Sequence, residues 1–138
     1  MDASKAAGLP EISFFEVGFE PMDAMHREFR DLLVELARGE RDQGEALLAL
    51  HEHLIRHCSQ EEQWMRESNF PACACHQREH EMLLEVVAEV RRRVDAGDAE
   101  IGRRLAAELP PWFELHANAM DAGLAIHLRD VVAAQPAD

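Results

Sequence analysis

The chain has 138 residues, 47% of them hydrophobic, which suits one domain with a real core and excludes wholesale disorder. Its formal charge of -13 argues against nucleic acid or an anionic membrane as partner, because both need a basic face. No apolar run approaches the roughly 20 residues that span a bilayer, and Met1–Pro10 lacks the apolar stretch of a secretory signal. The expected location is therefore the cytoplasm. Three cysteines make no disulfide framework. Tyrosine is absent, while eight histidines are many for a small acidic chain and raise the prior for a metal site.

In chain order, residues 1–20 read as an arm, with Ile12, Phe14, Phe15, Val17 and Phe19 apolar enough to pack as an ordered extended segment. Pro21 suits the first turn of a helix. Met22, Met25, Phe29, Leu32, Leu33 and Leu36 then recur at three- and four-residue steps until Gly39 ends the helix. A second helix starts near Asp42, carries Leu47, Leu50, Leu54, Ile55, Cys58 and Met65, and stops at Ser68, Asn69 and Pro71. The stripe of the third is Leu83, Leu84, Val87, Val90 and Val94, and Asp95 to Gly97 break it.

Asp98 is an expected N-cap for the last segment, which runs to about Arg129. Pro110 and Pro111 are expected to kink or break it, with helix resuming at Trp112. The tail, residues 131–138, reads as loose. No stretch shows strand alternation. The expected fold is all-α: an up-down-up-down antiparallel four-helix bundle over residues 21–130, preceded by the arm.

Candidate ligands fall on all four helices. His57 and Glu61 are four apart on the second, and His76 and His80 are four apart on the third, so each pair shares a helix face. His116 and Asp121 on the fourth are five apart, a spacing that diverges around an α-helix and sends them to different parts of a shared site. His26 lies near the start of the first. In antiparallel order these regions stack at one end of the bundle. Imidazole and carboxylate suit iron, zinc, manganese or copper. Five histidines and two carboxylates exceed one tetrahedral zinc and match two octahedral ions with bridging carboxylates.

The series of a lone His26, HxxxE (His57, Glu61), HxxxH (His76, His80) and HxxxxD (His116, Asp121) resembles the hemerythrin family in its bacterial form. Met22-Asp23 before His26, Glu61-Glu62 with Met65, Asn69-Phe70-Pro71, and Trp112 four before His116 extend the resemblance over about residues 12 to 130. The resemblance implies two non-haem iron ions and reversible binding of dioxygen, for carriage, storage, delivery or sensing. It implies that His76, His80 and His116 hold one iron. His26 and His57 would hold the other, with a place left for O2, and Glu61 and Asp121 would bridge along with a solvent-derived oxygen. The alternative at the same site is a di-iron oxidase or peroxidase, or a nitric-oxide scavenger. Ferritin-like oxidases are carboxylate-rich with paired Glu-x-x-His motifs, and this chain has no such pair, which favours the binding protein over the enzyme. A structural zinc bundle is a third reading.

Phe29, Trp112 and Phe113 fall at positions resembling the family's apolar O2 wall. Cys58 stands where the family often has phenylalanine, and Ala117 where it often has isoleucine. Both are smaller, which implies a roomier, wetter pocket and faster loss of the oxygenated form. Met25, where the family often has glutamine, is a further departure. His53, one turn before His57, is expected to be partly exposed, and His127 to be a helix-end residue. Cys73 and Cys75 read as loop thiols, and Glu114 and Arg129 as solvated charges.

Overall fold

The computed structural model describes residues 16–134. Among the described residues, five α-helices and one π-helical turn form four rods. Helix α1 spans Glu20–Arg38, α2 Gln43–Glu67, α3 Cys73–Asp95 and α4 Ala99–His116. A π-helical turn, Ala117–Asp121, then runs directly into α5, Ala122–Ala134, so that these last three elements make the fourth rod. Neighbouring rods pack in the cyclic order α1, α2, α3, α4 and back to α1. With links this short, the arrangement is the expected antiparallel up-down-up-down bundle. Among the described residues, no helix is long and apolar enough to cross a membrane.

The helix ends follow local chemistry. Gly39 terminates α1 in the left-handed conformation at φ 68°, which glycine adopts without a Cβ clash. The Asp42 carboxylate accepts from the Glu45 amide at 3.1 Å to start α2. Asn69, at φ 55°, turns the chain out of α2. The Asp98 carboxylate caps α4 by accepting from the Ile101 amide at 3.2 Å.

The described part of the arm is pinned by Asp23, a buried carboxylate that accepts from the Val17 amide at 2.7 Å and the Gly18 amide at 3.2 Å. Phe19 packs edge-on against Trp64, with ring centroids 5.4 Å apart. Ile12, Phe14 and Phe15 lie outside the described residues, as do residues 135–138 of the expected tail. Residues 131–134 are helical and belong to α5.

Of the expected kink or break, the break does not occur: α4 is helical through Pro110 and Pro111. Proline removes the backbone donors that would reach the carbonyls of Ala106 and Ala107. Burial of Leu105, Leu109 and Phe113 on the core holds the rod helical across the gap. Tertiary packing here outweighs a strong local preference.

The core divides into two apolar clusters. The larger holds Phe29, Leu33, Leu47, Leu54, Cys58, Leu83, Phe113 and Ala117 among others. The smaller holds Met22, Met65, Leu124, Ala125 and Leu128. Each rod passes from one cluster to the other through a short polar stretch, and those stretches form a single buried layer.

Candidate metal centre

The polar layer contains His26, His57, Glu61, His76, His80, His116 and Asp121, all buried. His26 sits one turn from Met22 and one from Phe29 on α1, so the apolar stripe that buries α1 also buries His26. His57 and Glu61 share a face of α2, with Nε2 of His57 2.8 Å from Oε2 of Glu61. His76 and His80 share a face of α3, with ring centroids 4.6 Å apart.

His116 and Asp121 do not diverge as their spacing suggests. Five residues of α-helix turn through roughly 500°, leaving two side chains about 140° apart. The π-helical turn widens the coil by one residue between them. Nε2 of His116 consequently lies 3.1 Å from Oδ1 of Asp121.

Each carboxylate divides its two oxygens between two groups of histidines. Oε1 of Glu61 lies 3.2 Å from Nε2 of His76 and 3.1 Å from Nε2 of His80. Its Oε2 faces His57 at 2.8 Å and His26 at 3.7 Å. Oδ1 of Asp121 faces His76 at 2.9 Å and His116 at 3.1 Å, while Oδ2 faces His26 at 3.2 Å. The donors thus fall into one set of Glu61, His76, His80, His116 and Asp121 and another of His26, His57 and Glu61, each tight enough to surround a cation.

The donor set fits metal. Oε1 of Glu61, both carboxylate oxygens of Asp121 and Nε2 of His76 are buried and make no hydrogen bond. Buried polar atoms without partners are costly. Carboxylate oxygens and imidazole nitrogens aimed at common points are satisfied only by something positive, a proton or a metal cation.

Without metal, protons take that role. Burial opposes charge on His26, but the close approach of the Asp121 and Glu61 carboxylates outweighs it and raises its pKa to about 10. The same opposition lifts His76 to about 9 and raises His116. Burial disfavours the ionised carboxylates, yet the surrounding imidazoles hold Glu61 and Asp121 below the usual carboxylate range.

Two residues that sequence reasoning leaves without a role bear on the outer edges of the candidate ligands. Oε2 of Glu62 lies 3.0 Å from Nδ1 of His80, and Oε1 of Glu79 lies 2.8 Å from Nδ1 of His116. In the sequence Glu62 stands out only as a motif neighbour of Glu61. Glu79 follows His76 by three positions, a one-turn spacing that could have flagged it.

The aromatic positions also gather at the layer. Trp112 stacks on His116, centroids 5.1 Å apart and planes at 9°. Phe113 meets His26 edge-on at 5.1 Å and packs against Phe29 at 4.6 Å. Cys58 and Ala117 are buried in the same apolar cluster as those phenylalanines, and burial pushes the Cys58 thiol up.

His53 departs from the expected partial exposure: it is 2% exposed. It lies one turn before His57 on the inward face of α2, stacked 6.3 Å from Phe29, with Nδ1 3.4 Å from Oε2 of Glu28. Burial, above all, lowers its pKa to about 4, so it is held neutral. His127 ties α5 to the end of α2 through the Ser68 carbonyl at 2.9 Å. Cys73 and Cys75 lie in the first turn of α3 rather than in a loop, Cys73 half-buried against the smaller cluster and Cys75 exposed. Arg129 is exposed but donates to the Gly18 carbonyl at 3.0 Å, helping to hold the arm.

Fold and donor set together define a class: a four-helix bundle with a histidine-rich, carboxylate-containing site for metal cations. Residues 17–125 match the family described as the hemerythrin HHE cation binding domain. The chain belongs to the hemerythrin family. It is 40% identical over 117 residues to a bacteriohemerythrin of Ralstonia nicotianae, covering 82% of this chain and 85% of that one. It is 30% identical over 114 residues to the bacteriohemerythrin of Stenotrophomonas maltophilia, covering 79% and 74%. A bacteriohemerythrin of Methylococcus capsulatus is 29% identical over 110 residues, covering 76% and 82%.

Proposed function

We propose that this chain binds dioxygen reversibly at a centre of two non-haem iron ions. The observation that carries the reading is the division of oxygens at Glu61 and Asp121, each of which offers one oxygen to the His76–His80–His116 group and the other toward His26. A carboxylate in that position can link two neighbouring cations. The two imidazole groups then serve different ends.

His76, His80 and His116 with one oxygen from each carboxylate supply five donors to one position. His26 and His57 with the remaining oxygens supply four to the other. The position with fewer protein donors is the one at which an external ligand would bind. Iron held by these residues would supply the reversible electron donation that binding of O2 needs.

The rest belongs to the protein. Phe29 and Phe113 pack against one another beside His26 and give that side an apolar wall. Trp112 lies flat on His116 and limits how far that ring can tilt. Histidine-rich ligation also favours binding over oxidase chemistry, for which carboxylate-rich centres are typical.

The test is anaerobic reconstitution with Fe2+ followed by admission and removal of O2. A visible absorption band that appears with O2 and disappears on its removal is the expected result. Irreversible conversion to ferric protein with turnover of a reductant would replace this reading with an oxidase. Absence of any spectral change would overturn both.

A further inference from the structure

Two imidazoles of the three-histidine group are backed by carboxylates from neighbouring rods. In the three-histidine group, His80 and His116 each turn their outer nitrogen to a half-buried carboxylate, Glu62 at 3.0 Å and Glu79 at 2.8 Å. Nδ1 of His76, in the same group, and Nδ1 of His57, across the layer, are buried and make no hydrogen bond. A carboxylate on the far side of an imidazole fixes the ring's tautomer with Nδ1 as the donor, leaves Nε2 as a lone pair aimed inward, and makes that lone pair more basic. It also adds negative charge within a few ångströms of the cation.

The two carboxylates come from different rods and reach ligands on different rods. Glu62 on α2 holds His80 on α3, and Glu79 on α3 holds His116 on α4. Two of the three imidazoles are thus oriented across a rod-to-rod boundary before any cation arrives. Such preorganisation removes part of the ordering cost of binding. It adds to the larger donor count at that position.

We propose that Glu62 and Glu79 are positioning residues that make the His76–His80–His116 position the tighter of two metal positions, so that the centre loads in order. This rests on the dinuclear reading given above. The three-histidine position fills first. The His26–His57 position fills second and is the first to empty under a chelator, so a half-loaded chain carries its metal on the side of Glu62 and Glu79.

The experiment is titration of the full metal-free chain with Co2+ under anaerobic conditions, followed by calorimetry and by the visible d–d bands of bound cobalt. Wild-type protein should take up two ions in two resolved steps with distinct spectra. Glu62→Gln and Glu79→Gln each keep side-chain size while removing the charge, and should weaken the tighter step about 10- to 100-fold. The looser step should stay unchanged. Glu79→Asp should restore part of the loss.

His57→Ala supplies a check that does not depend on the glutamates: it should abolish the looser step and leave the tighter one with its spectrum intact. Loss of the tighter step in His57→Ala, or equal weakening of both steps in the glutamine variants, overturns the ordered loading while leaving two ions. No change in either glutamine variant does the same. Uptake of a single cobalt at saturation by wild type overturns the dinuclear reading and the order with it.

Discussion

At the scale of single residues, the centre is a problem of buried charge. Glu61 and Asp121 are fully buried among five imidazoles, and only cations can satisfy all of them. Neighbouring residues then decide how well the bound state is protected. Cys58 and Ala117 present small side chains beside Phe29 and Phe113. We expect Ala117→Ile to slow decay of the oxygenated form to the ferric state, followed as loss of the visible band in air. Ala117 has no exposed surface, so the added methylenes should also cost about 1–3 kcal/mol of stability. An unchanged or faster decay in a folded variant would refute the idea of a loosely walled pocket.

At the scale of the element, the fourth rod concentrates the unusual features. Two prolines sit inside α4, and a π-helical turn separates it from α5. Pro111 is exposed while Pro110 is buried. Replacing Pro111 by alanine restores one backbone donor without opening the core. Proline inside a helix costs about 3 kcal/mol relative to alanine. Because the rod already tolerates it, Pro111→Ala should gain about 1–3 kcal/mol, read from the shift in urea midpoint. A loss of stability would mean that the rod's path depends on that ring. The π-helical turn has a different origin. It places His116 and Asp121 on one side of the rod, so an apparent irregularity is the geometry the donor set requires.

At the scale of the whole molecule, metal and protons compete for the same interior. His26 and His76 have folded-state pKa values raised to about 10 and about 9 from 6.5. A raised value means that the charged imidazolium stabilises the metal-free fold. That contribution is complete below about pH 6.5 and is lost as pH rises through 9 and 10. Metal binding runs the other way, since imidazole must lose its proton to ligate. The melting temperature of the metal-free chain should therefore fall between about pH 7 and 10, while the gap between loaded and metal-free protein widens. Thermal scans of both forms across that range check it, and a gap that narrows with pH would contradict the assignment of these imidazoles as ligands.

Several features were legible in the amino-acid order alone because they depend on local periodicity and chemistry. Apolar residues at three- and four-residue steps define four rods, Gly39, Asp42 and Asp98 mark their ends, and the short links force antiparallel neighbours. The four-residue spacings of His57 with Glu61 and His76 with His80 place each pair on one face, and antiparallel order brings all four regions to one level. What local rules could not decide was the outcome of competition between neighbouring elements. Packing of Leu105, Leu109 and Phe113 kept α4 helical through two prolines. The inward face of α2 buried His53 against Phe29, although a histidine one turn from a candidate ligand carries no sign of its own burial. The partnership of Glu62 with His80 and of Glu79 with His116 spans different rods, so it exists only once those rods are side by side.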